Sequence, residues 1–257
     1  MCFSNDSRPP IPPMAGGAMD SRDLELRADD GNRFRAFAAF ASTSPGAGIV
    51  VLPDVRGLHR YYEELALRLA EAGLDAVAID YFGRSAGTTR HPDSFDHAPH
   101  VEQTTWAGLR ADLAAGAAWL RDERRIETLF VMGFCFGGRL AFLSAADAEL
   151  AAAGVVGFYG VPVGPPRNDM PAPVDLAGRM RCPVLGLFGG ADAGIPAESV
   201  ARLEEALTAA GVDHELVTYP DAPHSFFDRK YEQYGEESAD AWERVLDFVR
   251  SGSPQPT

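Results

Sequence analysis

The chain has 257 residues, 46% of them hydrophobic, which is enough for one large α/β domain with a substantial core. This composition excludes a chain that is disordered throughout. The net charge of -14 argues against nucleic acid and anionic membranes, so we expect no nucleic-acid partner and no membrane partner.

The cysteine usage and the N-terminus indicate a cytoplasmic protein. Cys2, Cys135 and Cys182 are an odd and sparse set, which is neither a disulfide framework nor a metal-ligand pattern. The N-terminus lacks the basic start and apolar core of a signal peptide, and no apolar run is long enough to span a membrane. We expect a cytoplasmic location, no metal and no cofactor. Cys2 is interpreted as an inert terminal thiol.

Composition divides the chain into three parts. Residues 1–20 are rich in Pro, Gly and Ser without any period, so we interpret them as a flexible, loosely attached lead-in. Residues 21–252 form the predicted single domain, and residues 253–257 form a C-terminal tail. A monomer or a weak homo-oligomer is expected.

A hairpin opens the domain, and strands and helices then alternate. The period-two alternation of residues 23–28 and 33–40 flanks a turn at 29–32, which indicates an antiparallel pair. Continuous apolar runs indicate strands buried on both faces, and helical periods separate them. The predicted strands cover 48–53, 76–81, 129–133, 154–160, 182–189 and 214–219, the helices cover 60–72, 101–122, 196–210 and 238–250, and the longer loops cover 82–100 and 161–174.

This order of elements predicts an α/β fold with a mostly parallel central sheet, helices on both faces and an N-terminal antiparallel hairpin. Ligands of such sheets bind outside the carboxyl ends of the strands. Catalytic and ligand-binding side chains are therefore expected at those ends.

Residues 133–138 form a strand–turn–helix junction with Cys135 at its apex. The layout is that of the G-x-S-x-G nucleophile elbow with cysteine in place of serine. The glycines are needed because the apex backbone is strained and side chains beside it would collide. The helix N-terminus behind Cys135 favours a thiolate. The alternative is that a cysteine between two phenylalanines is a small buried hydrophobe.

Two further strand ends carry an acid and a base. Asp192 follows the strand at 182–189, and His224 follows the last strand. Nucleophile, acid and histidine then occur in the chain order of α/β-hydrolases. His224 would take the thiol proton of Cys135, and Asp192 would orient the imidazole and stabilise its cation. Each residue alone is more typical of a turn or of packing, but the three together favour a triad.

An oxyanion hole needs two backbone N–H groups beside the nucleophile. The residue after the nucleophile supplies one, which is Phe136. The loop after the strand at 48–53 should supply the other, and Val55 is the candidate.

Six segments near the strand ends carry a recognisable pattern. They are DVRG at 54–57, DYFGR at 80–84, GFCFGG at 133–138, FYG at 158–160, GAD at 190–192 and HSF at 224–226. With these segments the chain resembles the dienelactone hydrolase (carboxymethylenebutenolidase) family of the α/β-hydrolases. The resemblance implies an α/β-hydrolase fold and a cofactor-independent hydrolase that opens lactones or esters through a thioester acyl-enzyme.

The resemblance also implies roles around the nucleophile. Asp54 matches an acid that holds the resting thiol and helps to ionise it when substrate binds; a turn or helix-capping carboxylate is the alternative. Arg84 matches an arginine that grips a substrate carboxylate, with a surface salt bridge as the alternative. Tyr81, Tyr159 and Arg56 complete the set of candidate substrate-binding residues.

Two positions depart from the family pattern. Asp228 stands where a second arginine is common, with Arg229 one residue later, and Arg56 puts a cation where the family usually has an apolar residue. The leading hypothesis is a hydrolase of small lactones or esters with a Cys-His-Asp triad. The alternatives are a general esterase or thioesterase with an unrelated substrate, and a catalytically silent binding or redox-sensing protein with Cys135 as its sensor thiol.

Overall fold

The computed structural model describes residues 4–14, 20–42, 46–166 and 168–252, so Cys2 and the predicted tail at 253–257 lie outside the described residues. The described chain builds one eight-stranded sheet. Its strands are β1 (Asp20–Arg27), β2 (Arg33–Phe40), β3 (Ala47–Leu52), β4 (Asp75–Ile79), β5 (Thr128–Phe134), β6 (Gly154–Phe158), β7 (Val184–Gly189) and β8 (His214–Tyr219).

The sheet has the order β1-β2-β4-β3-β5-β6-β7-β8. The first two strands form the predicted hairpin, with Arg27 opposite Arg33 beside the turn, and β2 runs antiparallel to β4. All remaining pairs are parallel. Every residue of β4, β6 and β7 is buried, because both faces of the central sheet are covered. The predicted mostly parallel α/β sheet is confirmed.

The helices follow the predicted periods, with one division. The helix predicted over 101–122 is two helices, because the Thr105 hydroxyl accepts the Gly108 N–H and starts a new helix there. Two short helices also begin within segments predicted as loops, at Gly83 and at Pro173. The helices are α1 (Arg60–Glu71), α2 (Gly83–Ala86), α3 (Ala98–Glu102), α4 (Trp106–Arg124), α5 (Phe136–Ser144), α6 (Pro173–Leu176), α7 (Ala197–Ala210) and α8 (Gly235–Ser251), with single 3-10 turns at Ala177–Arg179 and Glu232–Tyr234.

Residues 4–8 are attached to the domain, which differs from the loose lead-in predicted for residues 1–20. The Arg8 N–H donates to Oδ1 of Asp228 at 3.1 Å, and the Arg229 N–H donates to the Arg8 carbonyl at 3.1 Å. The Arg8 guanidinium also pairs with Glu64 at 3.0 Å. The composition of residues 1–20 could not predict this attachment. It is made by hydrogen bonds and an ion pair, and these leave no periodic pattern of hydrophobic residues in the sequence.

The described residues lack two features, a membrane-spanning helix and a metal-binding cluster. No described helix has both the length and the apolar character that a membrane crossing needs. The described residues also contain no group of three or more His, Cys, Asp or Glu side chains placed to hold a metal ion.

Candidate active site

The backbone at Cys135 adopts φ 55° and ψ -110°, a conformation that L-residues rarely occupy. The neighbouring glycines make it possible. A Cβ on Gly133 would lie 1.9 Å from the Gly137 carbonyl oxygen, and a Cβ on Gly137 would lie 2.1 Å from the Leu52 carbonyl oxygen. The Cys135 N–H donates to the Phe158 carbonyl at 3.0 Å. The elbow is thus held between the ends of β3 and β6.

The two described cysteines have opposite environments. Cys135 is partly exposed and caps the N-terminus of α5, where the helix dipole favours negative charge. Cys182 is buried, and burial raises the pKa of its thiol to about 12. Of these two, Cys135 is therefore the thiol suited to nucleophilic chemistry.

Asp192 and His224 form a direct hydrogen bond, with Oδ2 and Nδ1 2.6 Å apart. The other oxygen of Asp192 accepts the Gly194 N–H at 2.8 Å. Burial alone would raise the pKa of Asp192, but the hydrogen bond and the charge of His224 outweigh it and lower that pKa. An ionised Asp192 holds the proton on Nδ1, so Nε2 of His224 is left as the basic nitrogen.

The loops that carry the acid and the histidine are joined through their backbones. The Gly190 N–H donates to the Tyr219 carbonyl at 2.7 Å, and the Ala191 N–H donates to the Ala222 carbonyl at 3.0 Å. A Cβ on Gly190 would lie 2.5 Å from the Pro220 carbonyl oxygen, so only glycine permits this approach. Beyond His224, Phe227 is buried, and its carbonyl accepts the Tyr61 hydroxyl at 2.5 Å.

The loop after β3, residues 53–58, lies against the elbow. The Gly137 N–H at the start of α5 donates to the Pro53 carbonyl at 3.0 Å, and so does the Tyr81 hydroxyl at 2.8 Å. Since this carbonyl joins the loop to both α5 and the residues after β4, Val55 and Phe136 are brought to the same edge of the sheet.

Nearly all N–H groups of this loop are hydrogen-bonded within the protein. The Asp54 N–H donates to the Tyr62 hydroxyl, Arg56 to Oδ1 of Asp54, Gly57 to the Asp54 carbonyl and Leu58 to Oδ1 of Asp80. The Val55 N–H has no hydrogen-bond partner among the described residues. The same holds for the Phe136 N–H, as expected at the first position of a helix. These are the two donors that the sequence predicted for an oxyanion hole.

The Asp54 carboxylate is fully buried and lies between two basic side chains. Arg56 donates to both of its oxygens, at 3.2 Å from Nε and 2.9 Å from a terminal nitrogen, and Nε2 of His59 is 3.7 Å from Oδ2. Burial would raise the pKa of Asp54, but His59 and Arg56 outweigh it and hold that pKa well below its usual range. In this structure the charge of Asp54 is therefore balanced by Arg56.

Tyr81 and Tyr159, the two tyrosines predicted to bind substrate, pack against Phe136 and His224. Tyr159 is fully buried, and its ring centroid lies 4.9 Å from that of His224. Burial raises the pKa of both Tyr81 and Tyr159 well above the usual value, and negative charge at Cys135 and Asp54 adds to the rise. Both hydroxyls therefore remain protonated, and that of Tyr81 donates to the Pro53 carbonyl.

The hydrogen-bond and ion-pair partners of the Arg84 side chain among the described residues lie outside this cluster. Its guanidinium pairs with Asp30 at 2.6 Å and with Asp112 at 2.9 Å, and it donates to the Gly108 carbonyl at 3.1 Å. These partners belong to the β1–β2 turn and to α4. These contacts are those of the salt-bridge alternative, and the carboxylate-gripping role that the resemblance implies for Arg84 stays a prediction.

Sequence reasoning missed several side chains that support the site. His59 caps α1, Tyr62 holds the Asp54 N–H, and Arg139 in α5 donates to the Pro171 carbonyl at 2.9 Å and so fastens the loop at 161–172. The helix start at His59 was readable from the sequence. The partners of Tyr62 and Arg139 were not, because they are backbone groups of distant segments.

The family follows from sequence comparison. The dienelactone hydrolase family matches residues 34–253. The chain belongs to the dienelactone hydrolase family. A protein of Salmonella typhimurium, provisionally named carboxymethylenebutenolidase, is 36% identical over an alignment of 229 residues, and the match covers 85% of this chain and 83% of that protein. A protein of Methylorubrum extorquens with the same provisional name is 34% identical over an alignment of 215 residues, and the match covers 82% of this chain and 74% of that protein.

Solved structures agree with this assignment. The crystal structure of a provisionally named dienelactone hydrolase from Klebsiella pneumoniae superposes with a TM-score of 0.81 at 30% identity, covering 91% of this chain and 99% of that one. A dienelactone hydrolase-like promiscuous phosphotriesterase from metagenomic libraries has a TM-score of 0.74 at 22% identity, which is a likeness of fold alone; it covers 92% of this chain and 100% of that one. As a member of the dienelactone hydrolase family, the protein is a hydrolase that acts on ester bonds.

Proposed function

We propose that Cys135, His224 and Asp192 form a catalytic triad that hydrolyses small lactones or esters through a thioester acyl-enzyme. The observation that carries the proposal is the 2.6 Å bond between Asp192 and His224, in a family member whose neighbouring elbow presents Cys135 in a strained conformation. A thiol nucleophile needs reducing conditions, which supports a cytoplasmic location as part of the proposal.

The acylation step uses all three residues. Nε2 of His224 takes the proton of the Cys135 thiol, and Sγ attacks the carbonyl carbon, so that a C–S bond forms and the carbonyl π electrons move to oxygen. The N–H groups of Val55 and Phe136 stabilise that oxyanion. The intermediate then collapses, the C–O bond to the alkoxy group breaks, and His224 donates its proton to the departing oxygen. In a lactone, that oxygen stays attached to the acyl group.

Deacylation repeats the steps with water. His224 takes a proton from water, the hydroxide oxygen attacks the thioester carbon, and the same two N–H groups hold the second oxyanion. The C–S bond breaks, and the thiolate recovers the proton from His224. Asp192 stabilises the imidazolium in both halves, because its carboxylate accepts the Nδ1 proton.

Asp54 is proposed to tune the resting thiol, in line with the family pattern. Its full burial and its place in the loop beside the elbow support that role. Arg56 supplies the countercharge that keeps Asp54 ionised, which would limit proton exchange between Asp54 and Cys135 until a substrate displaces the guanidinium.

The substrate is proposed to be a small ester or lactone without an obligatory carboxylate. The ion pairs of Arg84 support this choice, because a substrate carboxylate would have to compete with Asp30 and Asp112 for the guanidinium. This observation favours the general-esterase alternative over a strict dienelactone hydrolase.

The test compares wild type, Cys135→Ala and Cys182→Ala in hydrolysis of p-nitrophenyl acetate, a neutral lactone and a dienelactone. We expect Cys135→Ala to lose turnover of every substrate and Cys182→Ala to retain it. Equal rates for wild type and Cys135→Ala would overturn the triad. A protein that turns over only the dienelactone would overturn the proposed substrate class and leave the triad standing.

A further inference from the structure

Asp80 follows β4 and is a fully buried carboxylate that the mechanism above does not use. Its Oδ1 accepts the backbone N–H of Leu58 at 3.1 Å and that of Tyr81 at 2.9 Å. Its Oδ2 lies 2.8 Å from Nε2 of His91. A buried carboxylate with several donors forms charge-assisted hydrogen bonds, which are stronger and more directional than neutral ones.

Asp80 and Tyr81 together hold both ends of the loop at 53–58. Tyr81 fixes the start of the loop through its hydroxyl bond to the Pro53 carbonyl, and Asp80 fixes the end through the Leu58 N–H. Gly57 has φ 74°, and a Cβ there would lie 2.3 Å from Oδ1 of Asp80. The backbone of the loop is thus shaped so that Asp80 can reach it.

We propose that Asp80 is a positioning residue that sets the direction of the Val55 N–H toward the oxyanion. This inference rests on the proposed function, in which Val55 is one of two oxyanion donors. Val55 lies between the two anchored ends, at Pro53 and Leu58. Release of the Leu58 end leaves the peptide that carries the Val55 N–H held only by the Gly57 N–H and by bonds at the start of the loop, so that peptide can shift. A shift of about 1 Å in such a group costs roughly a hundredfold in rate.

The variants distinguish three effects: loss of the hydrogen-bond acceptor at residue 80, loss of its negative charge, and general destabilisation of the fold. Asp80→Ala removes the acceptor, whereas Asp80→Asn keeps an oxygen that can accept both backbone N–H groups. Asp75→Ala is the matched control, because Asp75 is fully buried at the other end of β4, accepts the Ala41 N–H at 3.0 Å and pairs with Arg124 at 2.9 Å. The hydrogen-bond and ion-pair partners of the Asp75 side chain among the described residues, Ala41 and Arg124, lie outside the loop at 53–58.

Two reactions of the same thiol provide the readout. Hydrolysis of p-nitrophenyl acetate passes through an oxyanion, whereas alkylation of Cys135 by iodoacetamide is a direct displacement at carbon without one. We expect Asp80→Ala to lower kcat about a hundredfold with little change in KM, since the oxyanion forms only in the transition state. The alkylation rate of Cys135, followed by mass spectrometry of its peptide, should stay within threefold of wild type. Asp80→Asn and Asp75→Ala should retain kcat within threefold at a temperature where both are folded.

The outcomes are distinguishable. If Cys135→Ala hydrolyses the ester as fast as wild type, the proposed function fails and takes this inference with it. If Cys135→Ala is inactive but Asp80→Ala keeps the wild-type kcat, only the role of Asp80 is wrong. A parallel loss of hydrolysis and alkylation in Asp80→Ala would also overturn the role of Asp80, because it would indicate general damage to the site. An inactive Asp80→Asn would overturn that role too, because it would show that the negative charge, and not the acceptor oxygen, is required. Should Asp80→Ala not fold, Asp80→Ser, with one short acceptor, is expected to show the same selective loss of kcat.

Discussion

The carboxylate of Asp192 lies 2.6 Å from Nδ1 of His224, and the two residues come from the loops that follow β7 and β8. The loop after β7 also donates two backbone hydrogen bonds, one to the end of β8 and one to the loop that follows it, so the pair is positioned by the main chain. The imidazole therefore has a fixed orientation and a fixed tautomer before any substrate arrives.

Asp192→Asn should lower kcat for ester hydrolysis by about a thousandfold or more, because the amide no longer favours the Nδ1–H tautomer or stabilises the imidazolium. Steady-state kinetics on p-nitrophenyl acetate measure the loss. Asp221→Asn is the matched control, since Asp221 is an exposed acid in the same loop as His224. A similar loss in both variants would mean that local charge, and not the hydrogen bond, supports activity.

Iodoacetamide at pH 8 should alkylate Cys135 in the native protein and leave Cys182 unmodified. Cys182 is buried with its thiol pKa raised to about 12, so almost no thiolate is present there. Peptide mass spectrometry distinguishes the sites, and unfolding in urea should expose both to reaction. Native labelling of Cys182 at the rate of Cys135 would contradict the assigned environments.

Gly137→Ala should destabilise the protein by several kcal/mol or prevent folding, because the new Cβ would lie 2.1 Å from the backbone carbonyl oxygen of Leu52. Gly235→Ala is the control at the first residue of α8, where a Cβ meets nothing within 4 Å, and it should be neutral or stabilising by up to about 1 kcal/mol. Urea unfolding monitored by circular dichroism compares the two. Equal midpoints would show that the elbow accommodates a side chain.

Asp112 should make stability fall as pH rises from about 4 to 6. Burial raises its pKa to about 6 in spite of the nearby Arg84, and no described residue hydrogen-bonds its Oδ2. The folded state therefore binds the proton more tightly than the unfolded state, and the ionised carboxylate carries a penalty above pH 6. A shift of this size corresponds to at most about 3 kcal/mol.

Asp112→Asn removes this penalty. Its free energy of unfolding should exceed that of wild type at pH 7.5, and the two should converge near pH 4, as measured by urea denaturation at both values. Asp30→Asn is the matched control, because Asp30 pairs with the same Arg84 from an exposed site and its pKa is lowered, chiefly by the hydrogen bond from Arg84. If Asp30→Asn also had a higher free energy of unfolding than wild type at pH 7.5, the stabilisation would be due to the altered pairing of Arg84 and not to the burial of Asp112.

The sequence by itself determined the fold class and located the candidate catalytic residues at the strand ends. Alternation and apolar runs reflect which faces are buried, so the hairpin and the parallel strands could be predicted within a few residues. The glycines around Cys135 were informative because steric exclusion is local: Gly133 and Gly137 are four residues apart in the chain. The order of Cys135, Asp192 and His224 also needed no coordinates.

Only the tertiary structure decided what the charged side chains contact. Arg84 and Arg56 are both arginines near a predicted strand end, yet one pairs with Asp30 and Asp112 and the other with Asp54. The sequence around each arginine does not predict its partner, because an ion pair depends on which carboxylate the fold brings within a few ångströms. The same reason hid the contact between Asp80 and Leu58, since it joins residues that follow two different strands.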